Sequence, residues 1–364
     1  MNPIQKHVSR FDLFAITYSS TVALGVAFLP YVSGEETRSA WLKLIVAAIP
    51  YFFMIWLIHR FVKKYSNHDF FAVLKQEMGK GVFNLVILYL IASAILSCAN
   101  ITQELSFLVR TFMLKNTPIT VIILPFLLII GLALHYGILT ISRFVTFFIV
   151  TELILILSFL GYSFFSGYFR WMFIPPVFTV DVATFLLSST SDIARYAGVV
   201  SILAIIKYVK KGEPTLGAMN WGFFFVMLVY VLISLAVLGT FGYNEAIHLV
   251  SPILALVQSI SPESGLLERL DLLFLGFWII SFIKVMCIIL WFAIYLANIL
   301  WPKVKQMYFI VAFSGLFYLY TIMIPFNLYG EWKIYNFNNI LASFFVPTSL
   351  LLFLLLKKKR GVSS

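Results

Sequence analysis

The sequence predicts an all-α integral membrane protein of ten transmembrane helices, on three observations. Of 364 residues, 62% are hydrophobic and only 11% charged, with a mean hydropathy of +0.99. A soluble domain carries about 25% charged residues. The apolar residues are gathered into ten runs near the ~20 residues that cross a bilayer. The basic residues fall in short segments between runs, alternately rich and poor in Lys and Arg, as membrane topology requires. This distribution, rather than nucleic-acid binding, accounts for the net charge of +11.

The runs lie at about 11–31, 40–62, 83–112, 118–136, 143–165, 183–207, 217–241, 270–296, 306–325 and 336–356. The first follows ten polar residues directly, so no cleavable signal peptide is expected. It carries the polar stretch Thr17-Tyr18-Ser19-Ser20-Thr21, then Gly25, and closes on Pro30. Trp41 opens the second run. The third has Ser93 and Ser97, four apart on one face. Thr117-Pro118-Ile119 opens the fourth and Ser142-Arg143 the fifth, which contains Glu152. The sixth is interrupted by Ser188-Ser189-Thr190-Ser191-Asp192 and then Arg195-Tyr196-Ala197-Gly198. Between the seventh and eighth runs, about 242–269 holds two Ser-Pro pairs and apolar stretches, expected to be short helices over the outer face. No loop is long enough for a separate soluble domain. Residues 1–364 are therefore expected to be a single transmembrane domain of two five-helix halves, about 11–165 and 183–356. The interruptions fall at equivalent places, helices 1 and 6, which is the pattern of an inverted-repeat transporter fold with a midplane site.

With the N-terminus inside, seventeen basic residues collect on the cytoplasmic side, Lys357-Lys358-Lys359-Arg360 among them, and seven outside. Both termini are thus expected inside. The outer segments are acidic, with Glu35, Glu36, Asp181, Glu245, Glu263, Glu268, Asp271 and Glu331.

An ionisable side chain at mid-membrane costs at least ~2.5–3.5 kcal/mol, so each needs a partner or a purpose. Lys284 lies roughly 20 Å down the eighth run and Glu152 roughly 14 Å up the fifth, at similar depth in a ~30 Å core. A Glu152–Lys284 pair is expected, or failing that a Lys284 ammonium held by broken-helix carbonyls, a fixed cation where other proteins of such folds bind Na⁺. Asp192 and Arg195 are placed to pair locally or to face an outer vestibule, which Glu104 also reaches. Cys98 and Cys287 sit inside apolar runs, and no disulfide framework, metal cluster or cofactor motif is read. No H-E-x-x-H, G-x-S-x-G, P-loop or G-x-G-x-x-G is present, and enzyme function is not expected.

The chain resembles the B subunits of the Ger-type spore germinant receptors, members of the amino acid–polyamine–organocation superfamily. The resemblance covers nearly the whole chain. It is carried most specifically by Ser251 to Asn298, with Pro252, the Glu268-Arg269 pair and Trp278-Ile279-Ile280. Leu29-Pro30, Trp41, Thr117-Pro118-Ile119, Ser142-Arg143, Pro176-Val177 and Ala197-Gly198 support it. It implies a LeuT-like 5+5 inverted repeat with helices 1 and 6 broken. A nutrient, an amino acid by family habit, would bind at the breaks, its carboxylate on Leu24, Gly25 and Val26. Tyr196, Ala197 and Gly198 would surround the ammonium and side chain, with Ser93 and Ser97 as one wall and Lys284 and Val285 another. Ala23 and a single Gly25 stand where a Gly-rich break is usual, which implies a shorter unwound part. The implied partners are an A subunit with a soluble domain and a C-subunit lipoprotein, in the inner membrane of the spore. An amino-acid transporter of the same fold is the alternative, and a scaffold with an unused pocket a further one.

Overall fold

The computed structural model describes residues 7–22, 26–30, 35–65, 68–165, 167–177, 179–210, 212–259, 270–324 and 332–357. Among them nine helices are long and apolar enough to cross a membrane. They are Glu35–Tyr65, Lys80–Phe112, Ile119–Tyr136, Ile138–Phe165, Val182–Tyr208, Thr215–Ala246, Phe274–Leu300, Gln306–Met323 and Asn336–Leu356. The only β-structure among the described residues is an isolated parallel bridge, Val8 with Val209. The protein is all-helical and multi-pass.

The remaining expected span, the first, is not a continuous helix among the described residues. α1 (Arg10–Ser19) is only ten residues long, and a 3₁₀ turn follows at Val26–Phe28. The start of α1 is a capping box: Asp12 N–H donates to Ser9 Oγ, and Ser9 N–H donates to the Asp12 carboxylate. Its end is written in hydroxyls. Thr17, Ser20 and Thr21 donate back to the carbonyls of Leu13 and Thr17, a habit that competes with the helix ladder. Leu24 and Gly25, where the break was placed, lie outside the described residues.

The other spans follow in order. α2 (Ala40–Tyr65) is joined by the short α3 (Phe70–Glu77) to α4 (Lys80–Phe112), and α5 (Ile119–Tyr136) is followed by α6 (Ile138–Phe165). α6 starts five residues before the expected Arg143, because Gly137 at φ 83° alone separates it from α5. The sixth span is composite: α7 (Val182–Ile193), a 3₁₀ stretch at Ala194–Ser201, α8 (Ile202–Ile205) and a last 3₁₀ turn at Ile206–Tyr208. Its break is a tightening and not an unwinding. Side-chain polarity marks the place but does not distinguish i→i+3 from i→i+4 bonding. α9 (Thr215–Ala246) kinks at Gly242, φ 72°, and α10 (Pro252–Ser259) is a short helix in the connection where such helices were expected; residues 260–269 are outside the described set. α11 (Leu270–Leu300) and α12 (Gln306–Met323) precede a final span made of α13 (Trp332–Ile340), a π-helical turn at Leu341–Phe345 and α14 (Val346–Leu356). Pro347 has no N–H for the Ser343 carbonyl, which explains why the ladder shifts register there.

α11 is the hub. It is the most buried of the nine spans, with α6 among the least, and it packs most extensively on α4. α1 packs on α9 and α6, and α2 on α9 and α7. The face carrying the N-terminus of α1 is knit by polar contacts. Asp69 caps α3 through Phe71 N–H at 3.0 Å, pairs with Lys207 at 2.8 Å and accepts from Tyr295 Oη at 2.5 Å. The Lys64 ammonium donates to the carbonyls of Leu354, Leu355 and Lys357, capping α14. Asp69→Ala removes a cap and two charge-assisted bonds at once. It is expected to cost about 2–4 kcal/mol, read as a lower thermal midpoint of the detergent-solubilised chain, with Asp69→Asn intermediate.

Candidate functional site

The two interrupted helices meet backbone to backbone. A Cβ built on Gly198 would lie 1.8 Å from the Ser20 carbonyl oxygen and 2.4 Å from its carbon. Only glycine allows the 3₁₀ stretch to lie on the end of α1. Carbonyls released from the helical ladder here find side-chain donors, as the absence of water in a bilayer demands. Tyr230 Oη donates to Thr21 O at 2.7 Å, Ser251 Oγ to Ala27 O at 2.8 Å and Ser201 Oγ to Gly198 O at 2.7 Å. Tyr196 is fully buried among Tyr51, Phe223 and Tyr230, and its hydroxyl donates to Leu44 O at 3.0 Å.

The ion pair expected from helix depth is present. The Lys284 ammonium contacts Glu152 Oε2, and Ser281 Oγ donates to Glu152 Oε1 at 2.6 Å. Both charged side chains are buried. A second buried cluster joins α7 to α2: Asp192 pairs with Arg195 at 2.7 Å and lies 3.7 Å from Lys43. Of the two readings the sequence leaves for Asp192 and Arg195, the structure shows the local pair; Lys43 is not among the residues the sequence joins to them. Glu104 is buried in α4, not set in a vestibule.

Two cavities flank the junction. The larger, about 260 Å³, lies in the half of the bundle that holds α10. α6, α9, α10, α11 and the described ends of the helix 1 break, Val22 and Val26, form its wall. Its lining is mostly apolar, with Glu152 and Ser281 together at one end and Ser158 and Tyr162 farther along α6. The smaller, about 30 Å³, has room for one water. It is walled by Ser93 and Ser97 of α4, Ala197 and Ser201 of the sixth span, and Asn339 and Ser343 of the last. Ser93 and Ser97 donate to the side-chain carbonyls of Asn338 and Asn339 at 2.9 and 3.0 Å.

The residues nominated from the sequence are therefore divided. Val26 lines the larger cavity, and Ser93, Ser97 and Ala197 share the smaller. Gly198 forms the contact between the breaks. Lys284 reaches the larger cavity only through Glu152, while Tyr196 and Val285 are buried and line neither. Leu24 and Gly25 lie outside the described residues. The polar seam of Asn338, Asn339 and Ser343 was missed. Its signal was legible as two adjacent amides and a serine four residues on, inside an apolar run. No group of three or more His, Cys, Asp or Glu able to hold a metal occurs among the described residues.

Comparison with known proteins matches this architecture. Residues 7–328 fit a family model described as "Spore germination protein". The chain is 28% identical over 290 residues to spore germination protein A2 of Bacillus subtilis (strain 168), covering 79% of this chain and 78% of the relative. To spore germination protein B2 of the same organism it is 25% identical over 269 residues, 73% of each. Among solved structures, Mhp1, a nucleobase-cation-symport-1 family transporter in a closed conformation with bromovinylhydantoin bound, superposes with a TM-score of 0.66 at 16% identity. That match covers 96% of this chain and 80% of Mhp1. A manganese transporter from Eremococcus coleocola, mutant H236A, matches with a TM-score of 0.55 at 10% identity, over 96% and 75%. At such identities the likeness shows a LeuT-like transporter fold. With 7–328 covered by the family model, the chain belongs to the spore germination protein family.

Proposed function

We propose that the chain is the nutrient-sensing B subunit of a spore germinant receptor. It binds a small germinant, an amino acid, beside the broken helices and passes a conformational change to an A subunit and a C-subunit lipoprotein. The observation that carries this reading is the Gly198–Ser20 contact, in which two interrupted helices close on each other through backbone alone. A ligand that prefers one arrangement of that junction shifts the equilibrium between arrangements, and a receptor needs no more. The names of the two Bacillus relatives support the germination role. Leu24, Gly25, Val26, Ser93, Ser97, Tyr196, Ala197, Gly198, Lys284 and Val285 are the proposed binding region, with Lys284 a fixed cation beside it. The protein acts from the inner membrane of the spore with both termini toward the core, and needs no cofactor and performs no catalysis.

Dipicolinate release from spores, measured across a panel of amino acids, sugars and salts, tests this. Deletion of the chain is expected to abolish the response to one nutrient class and leave the others. A deletion strain with every response intact overturns the reading. The second reading, an amino-acid transporter, is favoured by the cavity of about 260 Å³ in a transporter fold. Uptake of labelled nutrient into liposomes holding the full chain separates the two: a receptor subunit gives binding without accumulation.

A further inference from the structure

The smaller cavity lies where two irregular segments face each other. The 3₁₀ stretch of the sixth span packs on the π-helical turn of the last, and both kinds of interruption recur at hinges and functional sites. Five polar side chains meet there: Ser93 and Ser97 of α4, Ser201 of the 3₁₀ stretch, and Asn339 and Ser343 of the last span. Apolar side chains of α4 and α11, among them Leu90, Ala94 and Phe292, close the space. The hydroxyl protons are all committed. Ser93 donates to Asn338 Oδ1, Ser97 to Asn339 Oδ1, Ser201 to Gly198 O and Ser343 to Asn339 O. Each hydroxyl keeps lone pairs that can accept. Asn339 is 4% exposed, and its amide N–H groups have no acceptor among the described residues. That nitrogen is open to the cavity and not sealed in the packing. A cation here would meet the amide N–H and an anion the hydroxyl lone pairs, and no charged side chain lines the space to answer either. Water donates and accepts at once. About 30 Å³ exceeds the ~10–15 Å³ that one water needs, and is far too small for an amino acid.

We propose that this cavity binds one water molecule, held by the Asn339 amide and two of the serine hydroxyls, and that the water couples the sixth span to the last. A buried water typically makes about three hydrogen bonds, which this set supplies. A hydrated seam lets the 3₁₀ stretch and the π turn exchange partners without leaving a polar group unpaired. The last span then carries a shift of the sixth span to the face that holds the N-terminus of α1. There Lys64 caps α14, and Lys357 pairs with Glu77 at 2.7 Å. The water site is independent of what the chain does, whereas the coupling rests on the reading of the chain as a nutrient receptor.

Hydroxyl-radical footprinting by X-ray radiolysis of the full chain in lipid nanodiscs tests the site, because a bound water yields radicals beside buried side chains. Leu90 and Phe292, each 2% exposed and lining the cavity, are expected to be oxidised. Phe83 and Leu290, fully buried on the same two helices but away from the cavity, are expected to stay unmodified. Ala94→Val fills the space from α4, and Asn339→Leu removes the amide. Each is expected to bring Leu90 and Phe292 down to the level of those controls. Native Leu90 and Phe292 labelled no more than the controls overturns the water site. Dipicolinate release from spores carrying the same variants, in membranes holding equal amounts of the chain, tests the coupling. Coupling between two sites is usually worth about 5–150-fold, so the half-maximal nutrient concentration is expected to rise at least about fivefold. Variants that lose the label and keep the native dose–response curve overturn the coupling and leave the water in place. Labelling in the expected pattern, in a chain whose deletion alters no nutrient response, supports the water site and overturns the receptor reading instead.

Discussion

Glu152→Ala is expected to leave little folded chain in the membrane. The Lys284 side chain is completely buried, and the Glu152 carboxylate, itself accepting from Ser281, is the group that answers its charge. Removing one member of a buried pair strands the other in low dielectric, at a cost of about 3–5 kcal/mol. That is a large share of the 5–15 kcal/mol by which domains are usually stable. Lys284→Ala should lose a similar amount. Replacing both residues by Met removes both desolvation costs, so the double variant is expected to fold within about 1 kcal/mol of the native chain or better. Chain abundance in spore membranes and the thermal midpoint in detergent measure the cycle. Additive losses in the double variant would refute the pairing energetics. The folded double variant is also expected to lose the response to the cognate nutrient, because the fixed cation beside the binding region is gone. A double variant that folds and still germinates normally assigns the pair to stability alone.

The sequence carried most of this arrangement, for reasons that differ from residue to residue. Nine spans were legible because each needs about 20 apolar residues and the hydrocarbon core fixes that length. The expected 183–207 is Val182–Tyr208, and 118–136 is Ile119–Tyr136. The Glu152–Lys284 contact was legible for the same reason, since depth in the bilayer gives each residue one coordinate without any tertiary information. A second coordinate, rotation about the helix axis, was not available. Ser93 and Ser97 were therefore assigned to a wall without their partners: they line the smaller cavity, and their hydroxyls donate to Asn338 and Asn339 some 240 positions away. Lys43 was counted as a loop charge because nothing local joins α2 to Asp192. The larger cavity was illegible altogether. It is space left between the side chains of α6, α9, α10 and α11, and an apolar residue facing a void has the same sequence signature as one facing a neighbour.

Gly198→Ala is expected to disable the protein although it adds a single carbon. The added Cβ would meet backbone, 1.8 Å from the Ser20 carbonyl oxygen, and no side-chain rotation relieves a backbone clash. Extra methylenes in a packed core usually cost about 1–3 kcal/mol, and this one belongs at or above the upper end. Phenylalanine at 198 separates the same two backbones before it fills either cavity, so it tests the junction and not a pocket. Gly222→Ala offers a graded comparison: its Cβ would lie 2.6 Å from Phe14 O, where α9 crosses α1. Gly81→Ala is the control, on α4 with nothing within 4 Å, and is expected to gain up to about 1 kcal/mol from helix propensity. The predicted order of thermal midpoints is therefore Gly81→Ala, native, Gly222→Ala, Gly198→Ala. Function should separate from stability at one point. If helices 1 and 6 must close on each other for the nutrient to be read, assembled Gly198→Ala receptors stay unresponsive at every nutrient concentration. Gly222→Ala receptors, whose clash lies earlier on α1, at Phe14, keep the native half-maximal concentration at reduced abundance. A native dose–response curve from assembled Gly198→Ala spores would remove the junction from the mechanism.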